Sequence, residues 1–231
     1  MKKTIIKILI FILLIVFIIS LYKIITYLKD NKDNKNINDN INKNLNINNI
    51  DFNNLKKINK DIVAYLKVNN TNINYIVVQT NNNNYYLNHN LLKNKNISGW
   101  IFIDYRNKLD KTDKNIIIYG HDTKDKSMFG SLKNVLEKDW YLNKSNHNIT
   151  FITEKSKYTY KIFSIYTIKV EDYYIKTDFN NDYLEFLNTI KSRSIYNFNV
   201  NINDLDKILT LSTCMGNGSK RVVVHAKLVK D

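Results

Sequence analysis

An apolar run near the N-terminus constrains this chain more than any other feature. The 21 residues from Ile5 to Ile25 carry charge only at Lys7 and Lys23, close to the two ends of the run. At about 1.5 Å of rise per residue, a helix of this length reaches the roughly 30 Å of a bilayer core. A buried helix of a soluble domain is the alternative, but such a helix does not need apolar residues on every face. The run therefore predicts one transmembrane helix.

The residues around the run predict that this helix stays attached and how it is oriented. A cleaved signal peptide has a shorter apolar core and a small-residue cleavage site, whereas bulky residues follow here as far as Tyr27. Lys2, Lys3 and Lys7 favour a cytoplasmic N-terminus. We therefore expect a single-pass protein of the cell membrane in four segments: a cytoplasmic tail over 1–4, a signal anchor over 5–27, a solvated Asn-rich spacer over 28–51 and an extracellular domain over 52–231.

Charge and cysteine content exclude several classes of protein. Lys and Arg number 35 against 21 Asp and Glu, which gives a net charge of +14, but only three of the basic residues are Arg. Recognition of phosphates and base edges relies strongly on Arg, so we expect no nucleic-acid partner. The single cysteine, Cys214, excludes an intramolecular disulfide and a multi-cysteine zinc site. It is either a buried apolar filler or a working thiol.

The pattern of apolar residues beyond the spacer predicts a mostly β domain. Leu55, Ile58, Ile62 and Leu66 recur at helical spacing and predict an amphipathic helix over 52–66. Seven short runs rich in Ile, Val, Tyr, Phe and Thr then predict strands. They are Ile73–Gln79, Trp100–Asp104, Asn115–Gly120, Asn148–Thr153, Tyr158–Lys169, Lys207–Cys214 and Arg221–Val229. Helical patterns interrupt them near 128–136 and 182–194. This mixture is typical of a closed or nearly closed β-barrel of seven to eight strands with an N-terminal helix and helical insertions.

Cys214 lies at the end of a predicted strand, where a thiol could act as a nucleophile. The period of two places Thr210, Ser212 and Cys214 on the more polar face of that strand. Arg221 follows seven residues later, across a turn that contains two glycines. If the two strands form a hairpin, the guanidinium lies beside the thiol, where it can lower the thiol pKa or donate to a developing oxyanion.

A thiol nucleophile needs a base, and His121 is the best placed of the four histidines. It follows Gly120 directly after an apolar strand, so the imidazole is expected at the rim of the sheet. His225 lies within the last predicted strand and is interpreted as an ordinary strand residue. His89 and His147 lie in Asn-rich segments and are expected to be exposed.

Taken together, these segments resemble the sortase family, and class B most of all. Thr210-Leu-Ser-Thr-Cys214 resembles the nucleophile motif of the family, Arg221 sits where the next strand supplies its arginine, and Tyr119-Gly-His121 resembles its histidine motif. Further segments similar to class B are 73–79, 86–87, 102–107, 128–129 and the helical pattern at 182–194, and the likeness covers about residues 55–230. Ile76 stands where the family usually has Pro.

The resemblance implies a cysteine transpeptidase that needs no metal or organic cofactor. The Cys214 thiolate would attack the Thr carbonyl of a sorting signal of the Asn-Pro-x-Thr type, His121 would serve as acid and base, and Arg221 would steady the carbonyl oxygen. The resulting thioacyl enzyme would be resolved by an amine. The residues implied to line the signal groove are Asn83, Leu87, Tyr119, Tyr174, Ile175 and Ser212.

The implied partners are secreted proteins with a C-terminal sorting signal, an amine of a peptidoglycan precursor or cross-bridge, and the membrane through the N-terminal helix. Three other functions stay open at this point. A pilin-polymerising sortase would use the same core residues with a Lys amine. A Cys-His peptidase would only hydrolyse its substrate. A non-catalytic, membrane-anchored binding module would be indifferent to alkylation of its thiol.

Overall fold

A computed structural model describes residues 2–110, 112–215 and 220–230 of the chain, and of Lys2, Cys214, Met215 and Lys230 it describes the backbone only. The first element is a single long helix, α1 (Lys2–Asn44). Its apolar window has a mean hydropathy of 3.1 and none of that window is buried, so by length and composition this helix could cross a membrane.

The second half of α1 differs from the solvated spacer that the sequence predicts. The helix continues to Asn44, and Asp30, Asn31, Asn34 and Asn38 are buried against the rest of the protein. The sequence pattern could not show this, because the buried side chains are polar and their partners lie 60 or more residues away in the chain.

Eight strands form a closed barrel in the order β1-β2-β3-β4-β7-β8-β6-β5, which confirms the predicted fold. The strands are β1 (Ile62–Val68), β2 (Asn74–Val78), β3 (Phe102–Ile103), β4 (Asn115–Gly120), β5 (Asn148–Thr153), β6 (Lys157–Lys169), β7 (Ile208–Met215) and β8 (Lys220–Lys230). The pairs β2–β3 and β4–β7 are parallel, and the other six pairs are antiparallel. Closure leaves these strands without an exposed sheet edge.

The helix predicted over 52–66 is only half right. Helix α2 (Phe52–Ile58) ends at Asn59, whose backbone is extended at φ −153° and ψ 119°. Ile62 and Leu66 lie instead on β1, which is hydrogen-bonded to both β2 and β5. The apolar spacing fits either structure, but Ile62–Val68 is rich in β-branched and aromatic residues, and the two neighbouring strands favour the extended form.

The segment between β6 and β7 forms the helical insertion and covers one face of the barrel. It contains a 3-10 turn at Tyr173–Ile175, helix α4 (Tyr183–Ser192) and the connections around them. Phe186, Leu187 and Ile190 are buried in this layer. Earlier in the chain, the helical pattern expected at 128–136 forms only a 3-10 turn at Leu132–Leu136, and the short helix α3 (Lys138–Leu142) follows it.

Residues alternate between the two faces of the paired strands β7 and β8. Leu209, Leu211 and Val224 are completely buried on one face. Ser212 lies on the other face, beneath the insertion, where Tyr174 Oη and Ser212 Oγ are 2.9 Å apart. The expected polar face of β7 is therefore a covered surface rather than one open to solvent.

Candidate active site

The ends of three neighbouring strands bring the expected catalytic residues to one part of the barrel rim. Parallel pairing of β4 with β7 sets Gly120 opposite Thr213. His121 follows Gly120 and Cys214 follows Thr213, so the two residues lie at neighbouring strand ends. Antiparallel pairing of β7 with β8 sets Cys214 directly opposite Arg221. Residues 216–219, which join β7 to β8, lie outside the described residues, as does the side chain of Cys214.

Backbone packing and a hydrogen bond determine the position of His121. A Cβ atom at Gly120 would lie 2.7 Å from the Phe129 ring, so only glycine allows this ring to pack against the end of β4. Phe129 N donates to His121 O at 3.0 Å and closes the following loop. His121 Nε2 lies 2.8 Å from Leu87 O. Because a carbonyl only accepts, Nε2 carries the proton in this arrangement, and Nδ1 is the acceptor of the neutral ring.

Arg221 is partly exposed at the start of β8. Its Nη1 donates to Lys220 O at 3.3 Å. A guanidinium is planar and permanently charged, so a residue in register with Cys214 can offer two N–H groups toward one oxygen atom. Arg221 therefore has the chemistry and the backbone position of an oxyanion donor.

A buried carboxylate connects three of the expected groove residues. Tyr119 Oη and Asn83 Nδ2 donate to Asp104 Oδ2 at 2.9 and 3.0 Å. Arg106 donates to the same carboxylate through Nε at 2.8 Å and Nη2 at 2.7 Å. Arg106 Nη2 also donates to Ile175 O at 2.9 Å, which ties the insertion to this cluster. We call these five residues the Asp104 cluster.

The electrostatics of the cluster keep Asp104 charged. Burial alone would raise the pKa of this carboxyl, but the hydrogen bonds from Arg106 and Tyr119 hold it below its usual value. The pKa of Arg106 is raised by its hydrogen bonds to Asp104. Burial, followed by the charge of Asp104, raises the pKa of Tyr119, so its hydroxyl stays protonated as a donor.

Asp104 and Arg106 are residues that the sequence analysis did not assign to the site. The signal was present, because Arg106 is one of only three arginines and follows a predicted strand two residues after an Asp. What could not be read from the sequence is that Asn83, Tyr119 and Ile175, which come from three separate segments, meet at this pair.

His225 belongs to a buried network beneath the rim. Thr210 Oγ1 donates to Asn115 Oδ1 at 2.7 Å and lies 2.8 Å from His225 Nδ1. Tyr166 Oη lies 2.9 Å from His225 Nε2. Because the hydroxyl proton of Thr210 is donated to Asn115, His225 Nδ1 donates to Thr210 Oγ1, and His225 Nε2 accepts from Tyr166. Burial, with a smaller effect of Arg193, lowers the pKa of His225 to about 3.

The other two histidines pack against aromatic side chains, and His89 is only partly exposed. His89 stacks on Tyr85 with ring centroids 4.1 Å apart. His147 is buried rather than exposed, which corrects the expectation, because it packs against Tyr141 and Phe198 and lies 2.7 Å from Tyr141 O. Within the described part of the chain, no three His, Cys, Asp or Glu side chains are grouped to hold a metal ion.

Comparison with known proteins decides the family. The model of the Sortase domain family matches residues 66–229 of the chain. The chain belongs to the sortase family. A curated relative, sortase B of Listeria monocytogenes, is 37% identical over 180 residues, which are 76% of this chain and 72% of the relative. This sortase is therefore a cysteine transpeptidase, as the resemblance implies.

Solved structures support the class. Sortase B from Bacillus anthracis aligns with a TM-score of 0.80 at 36% identity and covers 88% of this chain and 100% of its own. A Staphylococcus aureus sortase B–substrate complex gives a TM-score of 0.73 at 40% identity, and the alignment covers 78% of this chain and 84% of that one. A sortase B complexed with triglycine gives a TM-score of 0.73 at 40% identity, and the alignment covers 78% of this chain and 85% of that one. The prediction of a class B sortase fold is thus confirmed.

Proposed function

We propose that this sortase cleaves a C-terminal sorting signal after its Thr and joins that Thr to an amine through a thioacyl enzyme. The Cys214 thiolate attacks the Thr carbonyl carbon, and the C–N bond of the next residue breaks as the thioester forms. An incoming amine then attacks the thioester and restores the thiol. The single observation that carries this proposal is the backbone register, in which the ends of β4 and β7 and the start of β8 converge at the only cysteine.

His121 and Arg221 supply the proton transfers and the charge stabilisation in this scheme. His121 gives a proton to the leaving amine in the first step and takes one from the attacking amine in the second. Its hydrogen bond to Leu87 O supports a fixed ring orientation for both steps. Arg221 donates to the carbonyl oxygen as negative charge develops there in each tetrahedral intermediate.

The groove for the signal is proposed to run between the Asp104 cluster and the 3-10 turn of the insertion. The Asp104 cluster holds Asn83, Tyr119 and Ile175, and the hydroxyls of Tyr174 and Ser212 interact beside it. Leu87 is 40% exposed beside His121 and offers an apolar contact. These polar and apolar groups suit a short extended peptide, and we propose a signal of the Asn-Pro-x-Thr type.

The acceptor is proposed to be an amine of peptidoglycan, on a precursor or a cross-bridge. A related sortase B is complexed with triglycine, which supports a small, glycine-like amine here. The N-terminal helix is proposed to anchor the chain with the domain outside the cell, because Lys2, Lys3 and Lys7 precede or begin the apolar run. Protease added to wall-stripped cells should then remove the domain, and complete protection would contradict this orientation.

The test uses the full chain in detergent with a peptide that contains Asn-Pro-x-Thr followed by a leaving segment. Mass spectrometry should find the Thr of the peptide joined to added triglycine, and Cys214→Ala should form neither this product nor a thioester. Lysine amide in place of triglycine tests the pilin-type acceptor. Cleavage without any amine transfer would contradict the proposal, and so would transfer that survives Cys214→Ala.

A further inference from the structure

The part of α1 beyond the apolar run is bound to the barrel domain along its length. Tyr27 Oη accepts a hydrogen bond from Lys124 N at 2.9 Å. One turn later, Asp30 Oδ2 accepts from Ile97 N at 2.7 Å. Near the end of the helix, Asn42 Nδ2 donates to Asn74 O at 3.1 Å. These contacts fix the height of the domain along the axis of the helix.

A buried pair of amides fixes the rotation of the domain about the same axis. Asn34 and Asn96 exchange hydrogen bonds of 3.1 and 3.0 Å, and Asn34 Nδ2 also donates to Gly99 O at 3.0 Å. Asn34 is completely buried and Asn96 is 3% exposed. Because a buried amide without its partner costs free energy, these bonds oppose any turning of the helix against the domain.

The contact at Tyr27 sets the domain close to the end of the apolar run. Tyr27 is two residues beyond Ile25, which is about 3 Å along a helix. Side chains on a helix lean toward its N-terminus, so the Tyr27 hydroxyl lies nearer still to the apolar run. The headgroup layer of a bilayer is roughly 5–7 Å thick on each side. The backbone of Lys124 therefore lies at the height of the lipid headgroups.

Two loops of the domain come close to this height. Lys124 lies in the loop 122–126, and Ile97, whose N–H is bonded to Asp30 five residues beyond Ile25, lies about 8 Å along the helix from the end of the run. We call Ile97 and residues 122–126 the headgroup-facing loops. Lys124 and Lys126 are exposed, and Ile97 is 51% exposed.

The two acidic residues of the second loop are engaged within the protein. Asp122 pairs with Lys133 at 3.0 Å. Asp125 Oδ1 accepts from Ser127 N at 3.1 Å and from Ser127 Oγ at 2.7 Å. Asp125 keeps its negative charge, so the groups of this surface that can contact lipid phosphates are the ammonium groups of Lys124 and Lys126, with the aliphatic side chain of Ile97 beside the acyl chains.

We propose that the headgroup-facing loops contact the anionic headgroups of the membrane that holds α1, so that the His121 rim opens beside the bilayer. This inference rests on the membrane anchoring proposed above. Lys124 is three residues from His121, so their Cα atoms are at most about 11 Å apart. The proposed acid–base residue is then held within a short distance of the membrane surface.

The test measures how close each end of the domain lies to lipid headgroups. The full chain carries Cys214→Ser so that a single introduced cysteine can take a fluorophore, either as Lys124→Cys or as Lys126→Cys. Lys155→Cys is the matched control. It is exposed on the β5–β6 turn, near Lys157, whose Nζ donates to Asn48 Oδ1 at 3.4 Å beyond the end of α1. From Ile25 to Asn44 the helix rises about 29 Å.

Each labelled protein is inserted into vesicles of phosphatidylglycerol and phosphatidylethanolamine that contain a headgroup-attached quencher. We expect quenching at 124 and 126 to be at least threefold stronger than at 155, and to approach the value at 155 in Asn34→Ala. Equal quenching at the three positions in protein that floats with the vesicles would overturn the inference and leave the anchor intact. Failure to float would overturn the anchor and the inference together. Peptide transfer by the unlabelled wild-type chain tests the proposed reaction separately.

Discussion

The rim of the barrel and the polar network beneath it use histidine in opposite ways. At the rim, His121 is partly exposed, and one ring nitrogen donates to a backbone carbonyl. Beneath it, His225 is completely buried, and Thr210 and Tyr166 occupy both of its ring nitrogens. Burial lowers the pKa of His225 to about 3, so this ring stays neutral at physiological pH.

This difference separates a histidine that can exchange protons with a substrate from one that supports the fold. Proton transfer needs access to the reacting atom and a ring that can be charged during the cycle. His225 meets neither condition, while His121 stands where three strand ends converge. Burial and hydrogen bonding, rather than residue type, therefore distinguish the two rings.

A large effect on the transfer rate is expected at Arg221, the permanently charged residue opposite Cys214 at the rim. Arg221→Ala should lower the transfer rate by about 10²–10³-fold, because one oxyanion donor is lost. Arg221→Lys should lose most of the same rate, since an ammonium lacks the planar fork. Both variants should unfold at the wild-type temperature.

Transfer rate and thiol alkylation, each measured against pH, check the role of Arg221. Near-wild-type transfer by Arg221→Lys would contradict the geometric role and favour a role through charge alone. In that case Arg221→Ala should slow alkylation of Cys214 at neutral pH, because the thiolate is less favoured.

A smaller effect is expected from Asp104. It is buried like His225, but it binds Asn83 and Tyr119, two residues of the proposed groove. Asp104→Asn keeps the shape but removes the charge that orders Arg106, Tyr119 and Asn83. We expect KM for the signal peptide to rise roughly tenfold, which corresponds to about 1.4 kcal/mol, while kcat changes little.

Steady-state kinetics with the signal peptide test this expectation for Asp104. Lys56→Ala is a matched control, because its ion pair with Glu154 lies on the exposed surface and should leave both constants unchanged. A fall in kcat with an unchanged KM would contradict a positioning role.

A further effect concerns stability in acid rather than activity. A histidine with a lowered pKa in the folded state binds protons more readily when unfolded, so its contribution is complete above the unfolded pKa of about 6.5 and is lost as pH falls toward 3. Asp104, whose pKa is also lowered in the folded protein, adds a further loss of stability as pH falls below the usual carboxyl pKa of about 3.9.

The slope of unfolding free energy against pH isolates the part of this loss that belongs to His225. Between pH 6 and 4 one proton contributes up to about 1.4 kcal/mol per pH unit. His225→Gln should flatten the slope in this interval whatever its absolute stability, and an unchanged slope would contradict a neutral, buried His225.

Much of this architecture could be predicted from the sequence, because strands and strand ends have local signals. Runs of β-branched and aromatic residues predict the barrel, and Gly120 and Cys214 mark the ends of β4 and β7. The helix predicted as far as Leu66 was wrong, because pairing of β1 with two strands overrides a helical spacing of apolar residues.

The polar contacts between distant segments could not be predicted. The Asp104 cluster and the Asn34–Asn96 pair depend on side chains that meet only after the barrel has closed. Asn-rich sequence predicts solvent exposure, and nothing local indicates which of many asparagines finds a buried partner. Periodicity identifies apolar faces, whereas such polar networks require the three-dimensional fold.

If the rim performs the reaction and the buried network stabilises the fold, substitutions of His121 and His225 should separate activity from stability. Transfer rate and unfolding temperature are determined together for His121→Gln and His225→Gln. We predict that His121→Gln loses about 10²–10⁴-fold in rate and unfolds like the wild type, whereas His225→Gln unfolds at a lower temperature and keeps most of its rate while folded. A folded, inactive His225→Gln beside an active His121→Gln would contradict the account.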